Sequence, residues 1–102
     1  MAFVKVAAFG DIAPGTGKVV QAGGRVFAVF NVGGTLYAID NACTHVGGPL
    51  GRGKLTGTVV TCPLHGSRFD VTSGAVVGPP ARQPVKAYPV RVEGGNVLVD
   101  AG

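Results

Sequence analysis

The sequence predicts an all-β protein, an antiparallel sandwich or barrel, from two observations. Short runs rich in valine, phenylalanine and other β-forming residues alternate with turn signals at close intervals. Glycine is frequent, at 18 of 102 residues, and seven prolines accompany it. Because glycine adopts positive φ without steric cost and proline fixes φ, this composition favours turns and shaped loops over long helices.

Four strands are predicted in the first part of the chain. They cover residues 3–8 ("FVKVAA"), 18–22, 25–32 ("RVFAVFNV") and 35–40 ("TLYAID"). Glycine pairs at 23–24 and 33–34 separate the last three strands, and such a pair between apolar runs predicts a tight hairpin. The apolar residues of 25–32 are nearly continuous, so periodicity assigns no inner and outer face to that strand.

The second part of the chain is richer in loops. Residues 41–81 are interrupted by glycine or proline at short intervals and predict two or three short strands, with "TGTVVTC" and "SRFDV" as the best candidates. A final hairpin is predicted from residues 85–93 and 96–100, and Pro89 within it indicates an edge strand or a bulge. We therefore expect a single domain over residues 1–102, with a loop-rich subdomain at about 41–81.

Length, composition and charge exclude several classes of protein. A chain of 102 residues has room for one core, and 46% hydrophobic against 14% charged residues indicates a folded domain. No stretch approaches the ~20 apolar residues of a membrane span, and no signal-peptide pattern is present, so we expect a cytoplasmic protein. The formal charge of +4 comes from scattered lysines and arginines. Without interleaved stacking aromatics, this charge does not predict nucleic-acid binding.

The only two cysteines and the only two histidines of the chain lie in two short, similar segments. Cys43 and His45 are spaced C-x-H, and Cys62 and His65 are spaced C-x-x-H. Unrelated buried thiols and ordinary histidines are a poor explanation for this grouping. In a reducing compartment, cysteines accompanied by histidines predict a metal centre.

Two kinds of metal centre fit these residues. A tetrahedral zinc site of two sulfurs and two nitrogens is chemically sound, although zinc fingers usually pair like ligands on each arm. A two-iron, two-sulfide cluster, with both cysteines on one iron and both histidines on the other, fits the mixed arms. Such a cluster has a reduction potential of roughly −150 to +300 mV, against about −400 mV for plant-type all-cysteine clusters. With two thiolates the oxidised cluster is neutral, and an electron is added more easily to a neutral centre.

The segments "CTHVGGPLGRG" and "CPLHGSRFDVTSGAVVGPPA" resemble the two cluster-binding boxes of Rieske iron-sulfur proteins. The whole chain resembles the small soluble Rieske-type ferredoxins of bacterial oxygenase systems. This resemblance implies a Rieske-like fold and one [2Fe-2S] cluster per chain. It also implies that Cys43 and Cys62 ligate the buried iron, and that His45 and His65 ligate the outer iron.

The resemblance gives roles to further residues around the boxes. "GPPA", residues 78–81, matches the family's proline loop, and Pro79 and Pro80 would cover the cluster from a third side. Glycines at 47, 48 and 66 would let backbone amides approach the sulfurs closely.

Two departures from the respiratory branch of the family concern the reduction potential. No cysteine remains for the disulfide that joins the two boxes in that branch. Ser67 is present at the position of the serine donor, with a simple turn residue as the alternative, but Phe69 stands at the tyrosine position and has no hydroxyl. Because each lost hydrogen bond to sulfur disfavours the reduced form, we predict a midpoint in the lower half of the Rieske range. A voltammetric midpoint near the top of that range would refute this.

No acid/base pair, nucleophile or phosphate loop is evident, so the chain is not expected to be an enzyme by itself. The resemblance implies a one-electron carrier that docks transiently, accepts an electron from a flavin-dependent reductase and passes it to a terminal oxygenase of the aromatic-ring dioxygenase kind. A monomer is the default expectation for such a carrier. Transfer would use the exposed edge of His45 or His65. A basic docking rim for an acidic partner would consist of Arg52, Lys54, Arg68 and Arg82. The alternative is a Rieske-type accessory subunit, such as the small subunit of an NADH-dependent nitrite reductase.

Overall fold

The computed structural model describes residues 3–44 and 47–100. Within these ranges the chain forms eleven strands and two short 3-10 helices, at Phe9–Asp11 and Leu50–Arg52. The strands are β1 (Phe3–Ala8), β2 (Gly17–Ala22), β3 (Arg25–Val32), β4 (Thr35–Asp40), β5 (Lys54–Thr56), β6 (Val59–Thr61), β7 (Arg68–Asp70), β8 (Val76–Gly78), β9 (Ala87–Tyr88), β10 (Val90–Glu93) and β11 (Asn96–Asp100). Neither helix of this part of the chain is long and apolar enough to cross a membrane.

The strands form three antiparallel sheets, in the orders β1-β11-β10, β2-β3-β4-β9 and β5-β6-β7-β8. The prediction of an all-β antiparallel fold is confirmed. Strands β1 to β4 lie where the sequence predicts them, with β2 one residue longer at its start.

Two hydrophobic cores lie on the two faces of the middle sheet. The first core joins that sheet to the β1-β11-β10 sheet and includes Val20, Phe27, Val29, Ala38, Tyr88, Val97 and Val99. The second core joins it to the β5-β6-β7-β8 sheet and includes Ala28, Phe30, Ile39, Leu50, Val60, Phe69, Val71 and both cysteines. The two cysteines therefore lie in a folded apolar layer and not on an isolated loop.

Strand β3 shows why periodicity gave no inner and outer face. Phe27 and Val29 belong to the first core, whereas Ala28 and Phe30 belong to the second. Successive side chains of a strand point to opposite faces, and both faces of β3 are covered. A strand buried on both faces is apolar throughout, which is what "RVFAVFNV" shows.

The hairpin predictions are confirmed at the glycine pairs 23–24, 33–34 and 94–95, where every glycine has positive φ. The predicted strand over 85–93 is wrong in one respect, because Pro89 divides it. Strand β9 pairs with β4 in the middle sheet, whereas β10 pairs with β11 in another sheet. Pro89 has no N–H for a ladder and stands where the chain passes between sheets.

The loop-rich part of the chain contains four short strands, β5 to β8, where two or three were predicted. Each covers three residues, which is too short for an alternating pattern to be visible in the sequence. Their sheet places its buried side chains, Val60 and Phe69, in the second core beside the cysteines.

Candidate metal centre

The first box is a closed loop that follows β4. The backbone carbonyl of Asn41 accepts the Leu50 N–H at 2.8 Å, and its side-chain Oδ1 accepts the Gly51 N–H at 2.9 Å. Further along, the Cys43 N–H donates to the Gly48 carbonyl at 2.9 Å, and the Gly47 N–H donates to the Cys43 carbonyl at 2.7 Å. These four bonds fix the backbone of Cys43, while the predicted ligand His45 lies outside the described residues.

The second box is a tight turn between β6 and β7. The Cys62 N–H donates to the Ser67 carbonyl at 2.7 Å, and the Gly66 N–H donates to the Leu64 carbonyl at 2.8 Å. His65 has φ of 61°, in the left-handed region that residues other than glycine seldom adopt. This conformation places His65 at the surface, while Cys62 remains buried.

The two thiols are buried and close to each other. Cys43 is 3% exposed and Cys62 is 2% exposed, and neither forms a disulfide. Burial raises the pKa of the Cys62 thiol, the backbone N–H of Leu64 lowers it, and the neighbouring Cys43 thiol raises it. The Leu64 amide is therefore a hydrogen-bond donor to sulfur that the sequence analysis did not identify.

The three glycines of the boxes have different roles. A Cβ on Gly48 would lie 2.7 Å from the Cys62 Sγ, so this glycine permits the first box to approach that sulfur. Gly47 and Gly66 have φ of 73° and 77°, and their amides donate to carbonyl oxygens within their own boxes. Close approach to sulfur thus belongs to Gly48, while the other two glycines shape the turns.

The proline segment, residues 78–83, is hydrogen-bonded to both boxes. The Thr44 hydroxyl of the first box donates to the Gln83 carbonyl at 2.7 Å. The Ala81 N–H donates to the Ser67 hydroxyl oxygen of the second box at 3.0 Å. Ser67 is fully buried, and its hydroxyl can still donate a hydrogen of its own. The segment therefore bridges the two boxes.

Pro80 of this segment lies at the surface beside the first box. Together with Thr44, Arg82 and Gln83 it lines an open cavity of about 540 Å³. Phe69 is fully buried in the second core. The segment is in place to cover one side of the site, and Phe69 supplies apolar packing.

The residues present fit the iron-sulfur cluster expected from the sequence. Two adjacent buried thiols, an amide hydrogen bond to sulfur and a glycine whose missing side chain leaves room for that sulfur form a site for soft ligands in an apolar layer. Among residues 3–44 and 47–100, no three Cys, His, Asp or Glu side chains converge, and His45 falls outside these ranges. Of the three predicted ligands within these ranges, the structure therefore brings together the two cysteines, while His65 lies exposed at the surface and does not converge with them.

Comparison with known families agrees with this geometry. The family model described as the Rieske [2Fe-2S] domain matches residues 2–89. The chain belongs to the Rieske family. This membership implies a Rieske-type [2Fe-2S] cluster and decides against the zinc site that the spacing alone left open.

Similar Rieske proteins match over nearly the whole chain. The biphenyl dioxygenase ferredoxin subunit of Pseudomonas sp. (strain KKS102) is 41% identical over 101 residues, covering 98% of this chain and 93% of that protein. The ferredoxin of carbazole 1,9a-dioxygenase from Nocardioides aromaticivorans IC177 has a TM-score of 0.91 at 36% identity, with 97% of each chain covered. A third match is a chain in the solved complex of reduced oxygenase and oxidized ferredoxin in carbazole 1,9a-dioxygenase. That chain is 38% identical with a TM-score of 0.88, and the match covers 95% of this chain and 91% of that one.

One solved structure bears on the alternative function of this Rieske protein. A putative NADH-dependent nitrite reductase small subunit from Mycobacterium tuberculosis has a TM-score of 0.85 at 26% identity, covering 96% of this chain and 93% of that one. Its sequence identity is lower than that of the dioxygenase ferredoxins above.

All four residues of the predicted basic docking rim of this Rieske protein are exposed, namely Arg52, Lys54, Arg68 and Arg82. Within the described residues, the ion pair found joins Arg91 to Glu93, so none of the four is in a salt bridge. Arg82 lines the cavity beside Thr44, whereas Arg68 lines another of about 420 Å³ with Thr56, Val59, Thr61 and Val77. Two residues of the predicted rim, Arg68 and Arg82, therefore border separate surface depressions.

Proposed function

We propose that this Rieske protein is a one-electron carrier, the ferredoxin component that passes electrons from a flavin-dependent reductase to a terminal oxygenase of the aromatic-ring dioxygenase kind. One observation carries the proposal: a chain with a buried pair of adjacent thiols matches dioxygenase ferredoxin components from end to end. The protein is thus an electron-transfer component of an oxidoreductase system and not an enzyme by itself.

In this proposal, residues 41–81 are the cluster-binding subdomain of a single domain. Cys43 and Cys62 would hold one iron, and His45 and His65 would hold the other. When bound, the cluster takes up and releases one electron. The second core excludes water from the sulfur side, and the Leu64 amide stabilises negative charge on Cys62.

The exposure of His65 supports the same assignment, because an electron has to leave at the protein surface. A partner that covers the two boxes would meet His65, Leu64, which is 47% exposed, and the cavity beside Arg82. Small and transient contacts suit a carrier, since turnover requires fast release. We expect a cytoplasmic monomer whose basic rim faces acidic surfaces of its partners.

Reconstituted electron transfer tests the proposal. A flavin-dependent reductase, NADH, this protein and a dioxygenase terminal oxygenase are combined, and substrate-dependent oxygen uptake is measured. The proposal predicts turnover that requires this protein and is abolished by His65→Ala, while Gln83→Ala, a change beside the site that removes no ligand, retains it. Turnover that is the same with and without the protein, across several oxygenases, would refute the carrier function.

The same assay distinguishes the alternative. A small subunit of a nitrite reductase would co-purify with the large subunit as a stable complex and would not restore dioxygenase turnover. The higher identity to dioxygenase ferredoxins favours the carrier.

A further inference from the structure

Asp40 ends β4 three residues before Cys43 and joins the first box to the segment that follows the proline loop. Its N–H donates to the Lys86 carbonyl at 3.0 Å, and its Oδ2 accepts the Lys86 N–H at 3.1 Å. The β4–β9 ladder ends next to this pair, with Ile39 opposite Ala87. The carboxylate thus accepts an N–H just beyond the last pair of the ladder.

A tyrosine is hydrogen-bonded to the Asp40 carboxylate, and an arginine is hydrogen-bonded to that tyrosine. The Tyr88 hydroxyl donates to Asp40 Oδ1 at 2.5 Å, and the Arg25 Nη2 donates to the Tyr88 hydroxyl oxygen at 2.5 Å. The Arg25 guanidinium also lies 5.1 Å from the centre of the Tyr88 ring, and Lys86 Nζ lies 5.4 Å from it on the same ring. Tyr88 packs edge-on against Phe27 in the first core, at 4.9 Å between ring centres.

Two routes connect this cluster to the metal centre, one by hydrogen bonds and one by continuity of the chain. On one side, Asn41 follows Asp40 directly and closes the loop of the first box, because it accepts hydrogen bonds from the Leu50 and Gly51 N–H groups. On the other side, Lys86 continues to the proline segment, which is bonded to Thr44 and Ser67. The first box and the proline segment thus adjoin the two residues, Asp40 and Lys86, that pair beside the end of the β4–β9 ladder.

We propose that Asp40 is a positioning residue for the electron-transfer centre, and that its carboxylate, hydrogen-bonded to Tyr88 and through it to Arg25, fixes the first box and the proline segment relative to each other. This inference rests on the proposed function, because it assumes that the cluster lies between the two boxes. With Cys43 and Cys62 as cluster ligands, the sequence has no further cysteine that could join the boxes covalently. The hydrogen bonds among Asp40, Tyr88 and Arg25 lie beside the middle sheet. There they join the chain that leads into the first box to the chain that follows the proline segment.

Tyr88→Phe is the decisive variant, since it removes one hydrogen bond to the carboxylate and no charge. The matched control is Tyr37→Phe, which removes the same atom from the only other tyrosine, on β4 and outside the carboxylate cluster. In the holoprotein, Tyr88→Phe is expected to shift the midpoint potential and the electron paramagnetic resonance g-values. It is also expected to speed loss of visible absorbance in a chelator by at least about fivefold, the factor that corresponds to about 1 kcal/mol. Tyr37→Phe is expected to leave all three at wild-type values.

Two further variants distinguish the effect of losing a hydrogen bond in this cluster from the effect of losing a charge. Asp40→Asn removes a negative charge but keeps an acceptor oxygen, so it is expected to lose the cluster more slowly than Asp40→Ala. Arg25→Lys keeps the charge and loses the guanidinium donor, and it is expected to shift the g-values in the same direction as Tyr88→Phe. If Tyr88→Phe does not fold, the exposed Arg25 provides the same test.

The outcomes are distinguishable from failure of the proposed function. A wild-type protein without an iron-sulfur cluster would refute the carrier function itself. A wild-type protein that holds the cluster and transfers electrons, with Tyr88→Phe and Arg25→Lys equal to Tyr37→Phe in potential, g-values and cluster loss, would overturn only the role of Asp40.

Discussion

At the scale of single residues, the environment of Cys62 depends on contacts that could not be predicted from the sequence. The C-x-H and C-x-x-H spacings identify the candidate ligands, because ligand chemistry is a property of the side chain itself. The Leu64 amide and the Gly48 contact are set by turn geometry, and Thr44 reaches a carbonyl 39 positions away in the chain. A single sequence contains no signal for such a long-range hydrogen bond.

Gly48→Ala tests the contact between the first box and Cys62. The new methyl group would lie 2.7 Å from the Cys62 Sγ and 3.2 Å from the Leu64 side chain, so the sulfur or the loop has to move. We expect lower iron content per chain and faster loss of the visible spectrum. The control is Gly10→Ala, where a Cβ meets nothing within 4 Å. Equal iron content and equal stability of the two variants would contradict the described contact.

Ionisation of the Tyr88 hydroxyl is expected to make the stability of the folded protein depend on pH. Burial and the Asp40 carboxylate raise its pKa to about 12, against an ordinary value of 10.0. A raised tyrosine pKa favours the neutral form in the folded state, so its contribution to stability is complete below pH ~10 and is lost as the pH rises towards 12. We expect the wild-type urea midpoint to fall more steeply than that of Tyr88→Phe across this window. Parallel curves for the two proteins would contradict the carboxylate contact.

At the scale of elements, the fold was predictable wherever local chemistry determines the turn. Glycine pairs at 23–24, 33–34 and 94–95 specify their hairpins, because both turn positions need positive φ. The two-sided burial of β3 and the division of the last hairpin at Pro89 depend on which sheet each strand joins. That information is non-local, so the sequence indicated an irregularity at Pro89 without showing that it separates two sheets.

Ser67→Ala tests the hydrogen bond that joins the second box to the proline segment. This change leaves the Ala81 N–H without its buried acceptor, at a cost of about 1–3 kcal/mol in unfolding free energy. The matched control is Ser73→Ala, since Ser73 Oγ accepts the Ala75 N–H at 3.2 Å at an exposed position where water can replace it. Urea denaturation of both holoproteins measures the difference. Equal losses of stability would contradict the buried bridge.

At the scale of the whole molecule, the charge of +4 and the exposed arginines beside the boxes predict electrostatic steering. We expect the rate of electron transfer to an acidic partner to fall as ionic strength rises, because the Debye length is about 10 Å at 0.1 M salt. Arg82→Glu should slow transfer at low salt more than Lys5→Glu, which changes the net charge equally on β1. Rates that are independent of salt in the wild-type protein would remove the steering role.

The electron paramagnetic resonance spectrum of the dithionite-reduced protein shows whether this chain holds a Rieske-type cluster. Two cysteine and two histidine ligands on a [2Fe-2S] cluster predict a brown protein whose reduced form has an average g-value below the free-electron value. Cys62→Ser is expected to abolish that signal or change it. A colourless protein with one zinc ion per chain and no signal on reduction would rule out a Rieske-type cluster in this protein.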